Sequence, residues 1–138
     1  MIEFNFKSQI ATTIEQSERL IALGLRKETA DMVHYRSSSM NEWGILATPW
    51  RGDCEGSKWY YPAWSLNRLI EMMPLDVVPE GGFDNIFTLT KGYPSGYSVE
   101  YDGFSYYHKE NIYDTLIEGV EHLIKEGHFN KEYLEEWK

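Results

Sequence analysis

The stretch from Trp59 to Pro74, Trp-Tyr-Tyr-Pro-Ala-Trp-Ser-Leu-Asn-Arg-Leu-Ile-Glu-Met-Met-Pro, constrains the fold more than any other part of the chain. An aromatic cluster runs directly into a short amphipathic helix with a proline beyond each end. Leu66, Leu69, Ile70 and Met73 recur at helical spacing and line one face. Ser65 stands before them as the N-cap. Pro74 cannot continue the helix and pushes Met73 towards extended backbone. The segment is therefore read as a central element on which the rest of the chain packs.

The remaining elements follow from caps and periodicity. Thr12 with Glu15, and Thr13 with Gln16, each fit a capping box, opening a helix that runs to about Leu23. Gly24 suits the left-handed position after that helix, with Leu25 supplying the accompanying hydrophobic contact. Arg26 to Asp31 reads as a helical turn or loop. Met32 to Arg36 and Trp43 to Trp50 have strand composition and are expected to pair as a hairpin, with Pro49 at the end or edge. Arg51 to Lys58 reads as a polar loop. Pro79 to Gly82 marks a turn, and Ile86 to Thr90 alternates as a half-buried strand should. Gly92 to Gly96 is a second turn. Tyr97 to Tyr101 and Phe104 to Tyr107 are strands joined through Asp102-Gly103, a two-residue hairpin signal. Asn111 caps a helix bearing Ile112, Leu116, Val120, Leu123 and Ile124, closed by Gly127. Asn130 caps a last short helix carrying Tyr133, Leu134 and Trp137. Short strands joined by hairpin turns predict an α+β fold. The expectation is a single domain over residues 1–138, an antiparallel sheet of four to five short strands packed with three to four helices.

The 138 residues are enough to bury roughly two thirds of the unfolded chain's surface. With 42% hydrophobic residues, the chain has the material for a core without metals or disulfides. Cys54 is the only cysteine, so no internal disulfide can form. Its neighbours Asp53 and Glu55 disfavour a thiolate, which argues for an ordinary thiol. The N-terminus lacks the pattern of a signal peptide and no long apolar run is present, so a cytoplasmic setting without membrane contact is expected. The net charge is −9, and ten acidic residues against four lysines fall between Glu100 and Lys138. That balance opposes direct nucleic-acid binding, which relies on basic patches. It leaves a solvated face, a basic partner, or an inhibitor imitating nucleic acid.

Reaction chemistry has little to stand on. His34, His108, His122 and His128 are not spaced as a metal pair, and Glu118 with His122 offers only an i, i+4 surface pair. Phosphate-binding glycine motifs and the nucleophile elbow are absent. Arg51-Gly52-Asp53 matches an adhesion tripeptide but is too short to carry meaning. No catalytic, cofactor-binding or metal-ligating residue is assigned, and an enzyme with an unrecognised Asp/Glu/His site stays as an alternative.

The aromatic residues are the better lead. Trp43, Trp50, Trp59, Tyr60, Tyr61 and Trp64 form one group, and Tyr93, Tyr97, Tyr101, Tyr106 and Tyr107 another. Such rings build cores and also anchor interfaces. The candidate contact residues are Trp59, Tyr60, Tyr61, Tyr97, Tyr101, Tyr106 and Tyr107.

Thr29-Ala30-Asp31-Met32 after Gly24-Leu25, then Pro62-Ala63-Trp64-Ser65-Leu66 and Leu69-Ile70-Glu71-Met72-Met73-Pro74, resemble a pattern in uncharacterised small proteins of bacteriophages and integrated mobile elements of gut bacteria. The acidic helix ending Glu126-Gly127-His128-Phe129 is similar too. The resemblance implies a bacterial or phage intracellular setting and a non-enzymatic accessory role. No site residues come with it. The expected function is a small protein-binding protein whose partner is another protein or, as a homodimer, itself.

Overall fold

The structure is a computed structural model that describes residues 8–77, 85–92, 94–101 and 106–135. In chain order these form α1 (Ile14–Ala22), β1 (Met32–Ser37), β2 (Gly44–Leu46), β3 (Cys54–Glu55), β4 (Lys58–Ala63), α2 (Leu66–Met72), β5 (Asp76–Val77), β6 (Asn85–Lys91), β7 (Tyr97–Tyr101), β8 (Tyr106–Lys109) and α3 (Ile112–Glu126). The fold is α+β and all its strand pairs are antiparallel. The strands divide into two sheets, ordered β2-β1-β4-β3 and β5-β6-β7-β8.

Capping fixes the helices. Thr13 accepts from the Gln16 backbone N–H, and the Gln16 side chain accepts from Thr13 N–H, completing the second of the two predicted boxes. Gly24, at φ 104°, sends its N–H to the Ile21 carbonyl, and Leu25 sends its own to Leu20. Leu20 and Leu25 are both buried, as the hydrophobic contact of this motif requires. Ser65 caps α2 through Arg68 N–H, and Met73 is extended ahead of Pro74. Asn111 caps α3, and Gly127 ends it in the left-handed region.

One cluster of buried side chains runs through the helices. Leu20, Trp64, Leu69, Met72, Leu116, Val120 and Leu123 meet Val99, Tyr101 and Tyr107 from the second sheet. Trp64 is fully buried, its indole N–H donating to Thr29 Oγ1 at 3.0 Å. Thr12 and Trp64 are joined twice, by Thr12 N–H to the Trp64 carbonyl (2.9 Å) and by Trp64 N–H to Thr12 Oγ1 (3.0 Å). α1 touches β4 on one side and α3 on the other, while α3 lies on β7 and β8. The helices thus separate the two sheets.

Several sequence expectations change. The Trp43–Trp50 strand shrinks to Gly44–Leu46, because its partner begins at Met32 and Pro49 has no N–H to offer a ladder. The loop from Arg51 to Lys58 contains β3, paired to β4 across the two-residue turn Gly56-Ser57. Residues Trp59–Ala63 make up most of an interior strand, β4, which leads through the Ser65 cap into α2. Pro62 is tolerated there for a geometric reason. Tyr60 N–H points away from β1, to the Asp53 carbonyl at 2.7 Å, and Pro62 two residues on turns its nitrogen the same way, past the end of β3. The last helix is only a turn, Lys131–Tyr133. Leu134 instead bridges Leu25, flanked by Arg26 N–H to the Tyr133 carbonyl and Glu135 N–H to the Gly24 carbonyl. The turns expected at Pro79–Gly82 and Asp102-Gly103, and Trp137, lie outside the described residues.

Candidate functional site

Strand register decides which aromatic rings reach the surface. On β1, His34 is opposite Ile45 of β2 and Tyr61 of β4, and Arg36 is opposite Trp59. Directly paired residues share a face, so His34, Arg36, Ile45, Tyr61 and Trp59 all project from one side of the first sheet. Trp43, two residues before Ile45, continues that side.

The two ends of this face differ. At the His34 end the N-terminal strap and α1 lie over the sheet. His34 is buried, and its Nε2–H donates to the Thr12 carbonyl at 2.7 Å. Donation to a carbonyl fixes Nε2 as the protonated nitrogen, so His34 is a satisfied structural residue. Burial raises the Tyr61 phenol above its ordinary range, with Glu18 and Asp53 adding to the effect. Beyond α1 the face is open. Trp59 is 43% exposed, Trp43 40% and Ile45 37%. Arg36, Ser37, Ser38, Trp43 and Trp59 line a shallow cleft of about 520 Å³. Large apolar side chains grouped in this way mark interaction sites more often than scattered ones do.

The other predicted contact residues separate. Tyr60 is half-buried on the opposite face and lines a cleft of about 240 Å³ with Val33, Leu46, Arg51, Cys54 and Glu55. Tyr97 is half-buried. Tyr101 is fully buried, packs on Phe87 and donates its hydroxyl to the Pro74 carbonyl at 3.0 Å. Burial carries its phenol far above the ordinary range. Tyr107 is buried against His122, ring centroids 4.8 Å apart. Tyr101 and Tyr107 thus belong to the core. Tyr106 is placed only as a residue of β8.

Other groups of chemical interest are occupied in holding the fold. Glu118 pairs with Arg19 rather than with His122, and Glu121 shares the same guanidinium. His108 Nε2 hydrogen-bonds to the Ser95 carbonyl. Among the described residues no three His, Cys, Asp or Glu side chains converge as a metal site, and no helix is long and apolar enough to cross a membrane. Arg36 and Trp43 were not among the expected contact residues. Their part in the cleft depends on register, which residue periodicity alone does not supply. No protein-family model, curated protein or solved structure matches this chain.

Proposed function

We propose that this chain is a small accessory protein that works by binding another protein through the open end of the first sheet, around Trp43 and Trp59. The observation that carries the reading is that these two indoles stay 40% and 43% exposed on one sheet face whose other end is covered by the chain itself. Tryptophan and arginine are the residues that most often dominate protein contacts. The exposed lone thiol of Cys54 suits a reducing bacterial or phage-infected cytoplasm. Acidic mimicry of nucleic acid is weakened because Arg19 and Lys125 partly neutralise the α3 carboxylates Glu118 and Glu121.

A photo-crosslinking amino acid at position 59, with one at the exposed Glu15 of α1 as control, tests the reading in living bacteria. Discrete protein adducts from position 59 and none of the same species from position 15 are expected. Identical adduct patterns from the two positions, or none from position 59, would remove it.

A further inference from the structure

Arg36 sits on β1 between Trp59 of β4 and Trp43, which precedes β2. Its Nε–H donates to the Met40 carbonyl at 3.1 Å, which anchors the guanidinium at its base. Its terminal nitrogens have no partner among the described residues. That stands out in this composition, where 22 acidic residues outnumber 13 basic ones. Arg19, Arg26 and Arg68 each hold a glutamate. Arg51 is also without an ion pair among the described residues, but Glu55 lines the same cleft with it. Among the described residues, the clefts holding Arg51, Lys91 and Lys131 each carry a glutamate on their walls, whereas the Arg36 cleft carries none.

Resting on the protein-contact reading above, we propose that the Trp43–Arg36–Trp59 cleft receives an acidic segment of a partner protein, with a carboxylate on the Arg36 guanidinium and apolar side chains against the two indoles. The guanidinium fork matches a carboxylate in two parallel hydrogen bonds. A segment laid over the two exposed indoles would take water away from that pair, which strengthens it relative to one in open solvent. Ser37 and Ser38 add hydroxyls at the rim. The chain's overall charge of −9 does little to oppose an acidic segment at this site, because salt screens charges more than about 8 Å away under physiological conditions. A second copy is the weaker occupant, since it brings another −9 over its whole surface rather than one carboxylate to one site.

The test uses the full ¹⁵N-labelled chain, whose indole N–H signals for Trp43 and Trp59 are assigned from W43F and W59F variants. Two capped tetrapeptides serve as probes, Ac-Leu-Glu-Leu-Glu-NH2 and its glutamine counterpart, each titrated into the millimolar range. The glutamate peptide should move both indole signals while the buried Trp64 signal stays fixed. The glutamine peptide should bind about tenfold more weakly, the loss of one charge-assisted contact. Arg36→Gln should lower glutamate-peptide affinity to the glutamine level, and Arg36→Lys should restore part of it. Equal binding of both peptides would overturn the acidic preference and leave the contact reading standing. So would indole signals that move on diluting the protein alone, because a second copy would then fill the cleft. Signals unmoved by either peptide and by dilution would overturn both.

Discussion

The carboxylate of Asp31 receives both the backbone N–H of Ser65, at 2.9 Å, and its hydroxyl, at 2.5 Å. The Ser65 oxygen in turn accepts from Arg68 N–H and caps α2. One acidic side chain next to β1 therefore fixes both the exit of β4 and the start of the following helix. Replacing it leaves a partly buried N–H without an acceptor.

Asp31→Ala should cost about 1.5–3 kcal/mol, the range for hydrogen bonds to a charged group. Asp31→Asn keeps one acceptor and should recover part of that. Urea unfolding would show it as a lower midpoint at unchanged slope. An unaltered midpoint would mean that α2 is capped without Asp31.

Trp64 and Trp59 should behave oppositely. Trp64→Ala empties a fully buried site and should cost about 3–5 kcal/mol. Trp59→Ala removes a ring that is 43% exposed and should cost about 1 kcal/mol or less. Thermal melts of the two variants decide this. Comparable losses would place Trp59 in the core and end its candidacy as a contact residue.

The Arg19 guanidinium holds the Glu121 carboxyl below its usual range, outweighing the opposing effect of burial, with Lys125 adding to it. A depressed folded-state pKa adds stability that is present above the unfolded value and is lost as pH falls through the folded one. Acidification below the ordinary glutamate range should thus weaken the tie between α1 and α3. Arg19→Gln should lift the Glu121 titration towards its ordinary value, followed by carboxyl-carbon NMR, and flatten the acid limb of the stability profile. An unchanged titration would disprove the coupling.

Gly96 has φ +83°, and a Cβ there would lie 2.6 Å from the Lys109 carbonyl oxygen and 3.0 Å from His108 Nε2. Gly96→Ala should cost about 1–2 kcal/mol from the left-handed backbone alone, with the backbone clash adding to it. The Gly92 N–H bonds to the Gly96 carbonyl at 2.7 Å, so hydrogen exchange at Gly92 should accelerate first. Protection equal to the parent's would show that the turn has room to adapt.

Local chemistry was readable where a residue acts on its near neighbours. The Thr13–Gln16 box, Ser65, Asn111 and the Gly24–Leu25 pair all work within a few residues, and each stands where periodicity placed it. Ile86 to Thr90 alternates between exposed and half-buried, as expected of one sheet face. What failed depended on distant partners. The interior strand through Pro62 was not anticipated, and it is the early end of β3 that makes it possible. Gly56-Ser57 was a two-residue hairpin signal hidden inside a polar stretch. Division of the strands between two sheets leaves no periodic trace. For the candidate site, aromatic content pointed to Trp59, yet the same logic included Tyr101 and Tyr107, which the core absorbs. Arg36 stayed invisible because its neighbour Trp59 lies across a register that only folding defines.

The bridge between Leu25 and Leu134 sets an order of events during synthesis. The Gly24 carbonyl and the Arg26 N–H pair with Glu135 and Tyr133, so synthesis must reach Glu135 before the segment that follows the first helix is fastened. A chain halted at residue 130 would keep the first helix closed by its own Gly24 turn but leave the Gly24 carbonyl and the Arg26 N–H to water.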